Sequence, residues 1–175
     1  MIRKALMLTI PMALAACASV GDDAQADRLA SAKLVFANGQ AAGTAELTGA
    51  GNKMSLVIAL AGVTPGPHGI HLHAVGRCEA PAFTTAGGHL NPGSKQHGTD
   101  NPMGSHLGDL PNIEIAADGT GSLTVALDGA REQILSDVFD ADGTAIVLHA
   151  GPDDYKTDPA GNSGGRIACG VLQRG

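Results

Sequence analysis

In the segment His68–Cys78, HGIHLHAVGRC, apolar and imidazole side chains alternate from Ile70 to His73, which makes it the most informative stretch of the chain. In an extended strand Ile70 and Leu72 point to one face, and His71 and His73 point to the other. Residues two apart on a strand have Cβ atoms roughly 6–7 Å apart, so two such rings can reach one metal ion. The segment therefore predicts a strand with one face in an apolar core, although His-x-His also occurs as an ordinary surface pair.

Similar short segments, separated by turn residues, continue from Lys33 to the end of the chain. They cover residues 32–37, 41–47, 53–60, 112–116, 121–127, 144–150 and 166–172. The only helical candidate is 130–139, whereas 76–110 and 150–165 are long and irregular. This pattern predicts an all-β antiparallel sandwich or barrel, in which the two long loops carry the function.

The composition fits a single globular domain. The chain has 175 residues, 43% of them hydrophobic but only 2% aromatic, so Val, Leu, Ile and Ala must build the core. The net charge is −6, and no basic run is present. We therefore expect no nucleic-acid partner.

The first residues form a separate segment. Arg3 and Lys4 precede an apolar run that is too short to span a bilayer and is typical of a secretory signal. The run ends in LAAC, residues 14–17, which resembles the bacterial lipoprotein signal, where cleavage precedes the cysteine that receives the lipid. An ordinary signal cut after Ala16 or Ala18 is the alternative.

Three regions follow from this interpretation: a signal peptide over 1–16, a lipidated Cys17 with a tether over 17–32, and a folded domain over 33–175. The protein is expected to be exported to the periplasm and held at a membrane through the lipid on Cys17. Cys78 and Cys169 are the remaining cysteines, and a pair in an exported chain predicts a disulfide. Two buried free thiols are the alternative.

More histidines follow in the long loop and after a late strand. The loop contains His89, His97, His106 and Asp109, a donor set that suits a closed tetrahedral zinc site. His149 ends a predicted strand, and imidazoles without a thiolate also suit copper. Each piece has an ordinary explanation, such as a core histidine or incidental chelation, but their joint occurrence by chance is much rarer.

The segments HGIHLH, GGHLNP, KQHG, SHLGDLPN, IVLHA and GGRIACGV together resemble the copper-zinc superoxide dismutase family, over residues 33–175. The resemblance implies an eight-stranded antiparallel Greek-key sandwich or barrel. It also implies an enzyme that converts superoxide to oxygen and hydrogen peroxide by copper redox cycling, with zinc in a structural role. Members of the family occur as monomers and as homodimers, and a single sequence does not decide between them.

The resemblance also assigns residues. Copper would be bound by His71, His73, His89 and His149, and zinc by His89, His97, His106 and Asp109, so that His89 bridges the two metals. Arg166 matches the family arginine that orients the anion beside copper. Cys78 and Cys169 match the disulfide of the family.

Three further assignments concern residues around the metals. Asp153 matches the carboxylate that hydrogen-bonds a ligand of each metal, with Asp154 and Asp158 as competitors. His68 matches a position that does not bind metal. Lys95 and Lys156 are candidates for steering the anion, or else ordinary solvated lysines.

Two other functions remain open at this point. One is a metal-delivery lipoprotein without turnover, which needs a labile site and no arginine to orient an anion. The other is a zinc hydrolase with an open metal site, although the chain has no His-Glu-x-x-His helix.

Overall fold

The computed structural model describes residues 26–175, which form ten strands, one α-helix and one short 3-10 helix. The strands are β1 (Asp27–Phe36), β2 (Ala41–Ala50), β3 (Lys53–Leu60), β4 (Gly66–His68), β5 (Ile70–His73), β6 (Ile113–Ile115), β7 (Gly121–Leu127), β8 (Ala145–His149), β9 (Arg166–Val171) and β10 (Gln173–Arg174). The helix α1 is Arg131–Val138, and the 3-10 helix is Thr84–Ala86.

Eight of the strands belong to one antiparallel sheet. Its order is β5-β8-β9-β1-β2-β3-β7, and β10 pairs with β1, while β4 and β6 form a separate two-stranded sheet. The predicted all-β antiparallel fold is therefore confirmed, and the one predicted helix lies where α1 is found. Within residues 26–175, no helix is long and apolar enough to cross a membrane.

The strand predicted in the segment that begins at His68 is interrupted at Gly69. Its N–H donates to Gly151 O at 2.8 Å, and its carbonyl accepts the N–H of His149 at 2.8 Å. The chain thus leaves the small sheet after His68 and joins β8 from Ile70 onward. Hydrogen bonds to distant backbone groups cause this interruption, and the alternation of side chains does not reveal such bonds.

The predicted boundary at residue 33 is wrong, because β1 begins at Asp27. The segment was expected to be a tether because its side chains are small and polar, but Ala30 and Ala32 are buried in the core. Its backbone pairs with β2 on one side and with β10 on the other, which stabilises it as a strand. The predicted signal peptide over 1–16 and the lipid site at Cys17 lie outside the described residues.

The concave side of the sheet buries an aliphatic core. Ile70 and Leu72 belong to this core, as the alternation predicted, together with residues such as Leu34, Leu47, Leu56, Ile58, Ile146 and Leu148. Burial of each such side chain contributes about 1.5–3 kcal/mol. The core fixes β5 and β8 side by side, and so fixes where their histidines emerge.

A disulfide joins Cys78, at the start of the first long loop, to Cys169 in β9, and their Cα atoms are 5.6 Å apart. The predicted pairing is confirmed, and the alternative of two free thiols is excluded. Because Arg166 lies on the same strand as Cys169, the bridge holds the loop beside that arginine.

Candidate metal centre

The first long loop is paired to β5 residue by residue. Isolated antiparallel bridges join His71 to Asp109 and His73 to His89. Leu72 lies between them: its N–H donates to Gly108 O at 3.0 Å, and its carbonyl accepts from Leu90 N at 2.8 Å. This pairing carries the histidines of the loop to the imidazole face of β5.

The first cluster consists of His71, His73, His89 and His149. All are buried, and each offers one ring nitrogen to a set whose members lie within 4.8 Å of one another. Four buried ring nitrogens of these residues have no hydrogen-bond partner: His71 Nδ1, His73 Nε2, His89 Nε2 and His149 Nε2. Within residues 26–175, Thr144 Oγ1 is the only other buried side-chain nitrogen or oxygen in that condition.

In three of these rings, the nitrogen that points away from the cluster faces an oxygen atom, and this contact determines the tautomer. His71 Nε2 lies 2.6 Å from Asp153 Oδ2, His73 Nδ1 lies 3.0 Å from Gly87 O, and His149 Nδ1 lies 3.2 Å from Gly164 O. An oxygen acceptor requires an N–H on the nitrogen it faces, so the lone pair lies on the opposite nitrogen. Three lone pairs are thus aimed into the cluster.

The second cluster consists of His89, His97, His106 and Asp109. The Nδ1 atoms of His89, His97 and His106 lie 2.8, 2.9 and 3.0 Å, respectively, from Asp109 Oδ1. The other oxygen, Asp109 Oδ2, accepts the backbone N–H groups of Gly98 and His106. Three imidazoles therefore converge on one carboxylate oxygen, the donor set expected of a tetrahedral zinc site.

His89 belongs to both clusters. Its Nδ1 faces Asp109 in the second cluster, and its Nε2 is the unpartnered nitrogen in the first. Among the described contacts of the His89 ring, no backbone carbonyl accepts a hydrogen bond from either nitrogen, so neither nitrogen is held in the protonated form by the backbone. One imidazole can therefore contact two ions, and the residues fit copper in an all-nitrogen site beside zinc.

Burial keeps three of these rings neutral. Desolvation lowers the pKa of His73 to about 2, of His149 to about 3 and of His89 to about 4. For His73 and His149 the hydrogen bonds to backbone carbonyls oppose this effect, and for His89 the carboxylate of Asp109 does. At neutral pH the rings thus keep lone pairs available, as metal binding requires.

One carboxylate connects the two clusters. Asp153 Oδ2 accepts from His71 Nε2 at 2.6 Å, and Asp153 Oδ1 accepts from His97 Nε2 at 3.0 Å. Burial raises the pKa of this carboxyl, but the hydrogen bonds from His71 and His97 outweigh it and hold the pKa well below its usual range. Of the three candidate aspartates, Asp153 is the one that lies between the clusters.

The other two candidate aspartates accept hydrogen bonds from groups outside the imidazole rings. Asp154 accepts hydrogen bonds from Lys156 N, Thr157 N and Thr157 Oγ1 within its own turn. Asp158 Oδ1 accepts the backbone N–H of His97. Neither makes a contact with an imidazole ring among the described hydrogen bonds.

A cavity of about 480 Å³ opens over the first cluster. Its lining includes His73, His89, His149, Arg166 and Lys95. The Arg166 guanidinium is fixed by two backbone carbonyls: Nη1 donates to Phe83 O at 2.7 Å, and Nη2 donates to Gly87 O at 2.6 Å. The cavity thus has an immobilised cation beside the unpartnered nitrogens, and Lys95 lines it whereas Lys156 does not.

His68 lies outside both clusters. Its Nδ1 is 2.8 Å from the carbonyl oxygen of His149, and its Nε2 is 2.9 Å from that of Thr64. Both nitrogens are occupied by the backbone, which fits its prediction as a residue that does not bind metal.

Several residues that support the site are not predicted by the sequence. Phe83 and Gly87 act through carbonyl oxygens, which leave no trace in side-chain type. Asn112 and Tyr155 contact Asp153 and each other. Asn112 stands in the segment SHLGDLPN, three residues after Asp109, but nothing in the sequence indicates that Asn112 contacts Asp153.

An antiparallel sheet whose long loops complete two histidine clusters around a shared ring defines a β-sheet metalloprotein with a two-metal centre. The family model described as copper/zinc superoxide dismutase matches residues 41–172. The chain belongs to that family, and its two clusters fit copper and zinc. It is therefore an oxidoreductase of the copper-zinc superoxide dismutase type.

Relatives and solved structures agree with this assignment. The chain is 42% identical over 150 residues to a copper-zinc superoxide dismutase of Caulobacter vibrioides, covering 82% of this chain and 85% of that protein. It is 40% identical over 152 residues to copper-zinc superoxide dismutase 2 of Aquifex aeolicus, covering 84% and 88%.

Among solved structures, a superoxide dismutase-like protein from Bacillus subtilis matches with a TM-score of 0.75 at 38% identity, covering 82% of this chain and 97% of that one. The copper/zinc superoxide dismutase from Brucella abortus matches with a TM-score of 0.64 at 29% identity, covering 82% and 98%.

Proposed function

We propose that this protein dismutates superoxide at a centre in which His71, His73, His89 and His149 hold copper, and His89, His97, His106 and Asp109 hold zinc. His89 is the shared ligand. Two superoxide anions and two protons then give one oxygen and one hydrogen peroxide.

The observation that carries this proposal is the group of four buried ring nitrogens without a partner. A buried polar atom left unsatisfied costs about 1–3 kcal/mol. Four of them around one point are hard to reconcile with a purely structural cluster. A metal ion that accepts four lone pairs removes the penalty, and the neutral rings favour it.

The donor set matters because family membership alone does not specify the activity. One similar solved structure, from Bacillus subtilis, is described only as a superoxide dismutase-like protein. In this chain the complete donor set and the fixed arginine occur together, which gives the proposed activity further support.

Bound copper supplies one-electron redox chemistry, whereas zinc supplies none. The chain's own residues bind and orient the anion and supply a proton. Arg166 presents a fixed positive charge to a small anion in the cavity, since two carbonyls hold its guanidinium. His89 Nε2 faces the same cluster and can hold a proton there when it is not coordinated, and Lys95 adds positive potential at the cavity wall.

The test is a pair of reciprocal variants. His149→Ala removes a ligand of the copper set alone, so we expect loss of copper and of superoxide dismutation while zinc stays bound. His106→Ala removes a ligand of the zinc set alone, and we expect zinc to be lost first. Metal content by mass spectrometry and superoxide decay by stopped flow measure both. A His149→Ala protein with full copper content and full activity would refute the assignment.

We also propose that the protein is exported and anchored to a membrane by a lipid on Cys17. The charged start, the short apolar run and the LAAC segment support this. The disulfide between Cys78 and Cys169 is consistent with an oxidising compartment such as the periplasm. Cys17→Ser should abolish metabolic labelling with a radioactive fatty acid while the protein is still exported. Labelling that persists in this variant would contradict the proposal.

A further inference from the structure

Asp153 is hydrogen-bonded by Asn112 and Tyr155, and neither residue has a described hydrogen bond to a residue of either cluster. The Asn112 side chain pairs with the backbone of Asp153: Asn112 Nδ2 donates to Asp153 O at 2.9 Å, and Asp153 N donates to Asn112 Oδ1 at 2.8 Å. The Asn112 amide thus donates one hydrogen bond to the Asp153 backbone and accepts one from it. It fixes the backbone from which the Asp153 carboxylate projects.

Tyr155 completes the arrangement. Its backbone N–H donates to Asp153 Oδ1 at 2.6 Å, and its phenol oxygen accepts the backbone N–H of Asn112 at 2.8 Å. Tyr155 has φ +61°, a left-handed conformation that non-glycine residues seldom adopt. The hydrogen bonds made by its backbone N–H and by its phenol oxygen hold the residue in this conformation.

We propose that Asn112 and Tyr155 are positioning residues for the metal centre and act through Asp153. We call the two residues the Asp153 clamp. The clamp holds the Asp153 carboxylate where it orients the His71 ring of the copper set and the His97 ring of the zinc set together. Because Asn112 follows Asp109 by three residues, it also couples the segment that carries a zinc ligand to the second long loop. This inference rests on the metal assignment proposed above.

The clamp has consequences for metal affinity. Partners that orient a metal-binding imidazole typically change the affinity by 10–100-fold when they are lost. Asn112→Leu keeps the approximate side-chain size and removes both side-chain hydrogen bonds. We expect it to weaken zinc binding by about tenfold. Tyr155→Phe removes only the phenol acceptor, so we expect a smaller loss.

The experiment measures zinc affinity of the full chain by competition with a chromophoric chelator. It also follows the ring Nε2–H protons of His71 and His97 by NMR in the zinc-loaded protein, because their exchange with water reports how firmly Asp153 accepts them. We expect faster exchange in Asn112→Leu and Tyr155→Phe. The matched control is Asn162→Gly, which removes side-chain hydrogen bonds to Asp154 and Thr157 in the same loop and none to Asp153. This control should leave both measurements unchanged.

A double-mutant cycle separates positioning from general stabilisation. If Asn112 acts through Asp153, then Asn112→Leu should change zinc affinity by less than about twofold in an Asp153→Ala background. An equal loss of zinc affinity in both backgrounds would overturn the proposal. So would an Asn112→Leu protein whose zinc affinity and proton exchange rates stay within about twofold of those of the unaltered protein. If Asn112→Leu fails to fold, Tyr155→Phe carries the same tests. Failure of the unaltered protein to bind zinc at all would instead refute the metal assignment.

Discussion

Arg166 Nη2 donates a hydrogen bond of 2.6 Å to the carbonyl oxygen of Gly87. The same carbonyl lies 3.0 Å from His73 Nδ1. One backbone oxygen therefore positions the cation that faces the cavity and a ring of the proposed copper set. A shift of the loop at Gly87 would displace the anion-binding group and the ligand together.

Replacement of Arg166 should reduce turnover without removing metal. Lysine in Arg166→Lys cannot donate to both Phe83 O and Gly87 O in the fixed fork geometry, so we expect kcat/KM to fall by about tenfold. Arg166→Glu should lower it further, because a carboxylate repels the anion. Stopped-flow superoxide decay measures both. Arg131→Glu is the control matched in charge, since Arg131 contacts Gly51 O and does not line the cavity. Equal rates for Arg166→Glu and this control would contradict the role of Arg166.

Gly161 leaves room for the Asp153 carboxylate. A Cβ at this position would collide with Asp153 Oδ1 and lie 2.7 Å from His97 Nε2, and the residue has φ +62°. Gly161→Ala should displace the carboxylate and weaken zinc binding by about 10–100-fold. Gly165→Ala is the control, because a Cβ there meets no atom within 4 Å. Chelator competition measures both variants, and unchanged affinity in Gly161→Ala would show that the carboxylate tolerates displacement.

The disulfide should stabilise the fold through the unfolded chain. It links residues 91 positions apart. Loss of a bridge of this kind typically costs about 2–5 kcal/mol. We expect the Cys78→Ser, Cys169→Ala double variant to show that decrease in the free energy of urea unfolding. The loop that supplies Phe83 O and Gly87 O to Arg166 would also lose its anchor, so activity should fall with stability. A free energy of unfolding equal to that of the oxidised protein would contradict this prediction.

The metal-free protein should become less stable as the pH falls below neutral. Burial lowers the pKa of His73 to about 2, of His149 to about 3 and of His89 to about 4, from 6.5 for an ordinary histidine. Below pH 6.5 the unfolded chain therefore binds protons that the folded protein does not, and stability is lost as the pH falls toward these values. Each ring contributes on the order of 1–2 kcal/mol of destabilisation at pH 5.

Urea unfolding of the metal-free protein at pH 7 and pH 5 measures this dependence. His149→Gln removes one of the three titrating rings, and its unfolding midpoint should change less between the two pH values. Midpoints that do not differ between pH 7 and pH 5 in the unaltered protein would contradict the prediction.

Residue types and short-range periodicity predict the strands and the candidate donors, whereas the assignment of each ligand followed from the resemblance to the family. The alternation in HGIHLH placed Ile70 and Leu72 in the core and His71 and His73 on the opposite face, as the structure has them. The strand segments and the helix followed from similar local patterns, and the disulfide followed from the presence of two remaining cysteines in a chain expected to be exported. The predicted boundary at residue 33 was wrong because the small side chains at the start of β1 give no clear pattern of buried and exposed positions. Pairing with β2 and β10 stabilises this segment as a strand.

The order of amino acids specifies which donors are available: six imidazoles, a carboxylate, a cysteine pair and a late arginine. The folded chain is needed to show which ring nitrogens lack a hydrogen-bond partner, which of the three aspartates joins the clusters, and what holds Arg166. Those answers depend on contacts such as His71 to Asp153 and Arg166 to Phe83, between residues more than 80 positions apart. Backbone carbonyls and long-range register supply these contacts, and neither has a signature in the local order of side chains.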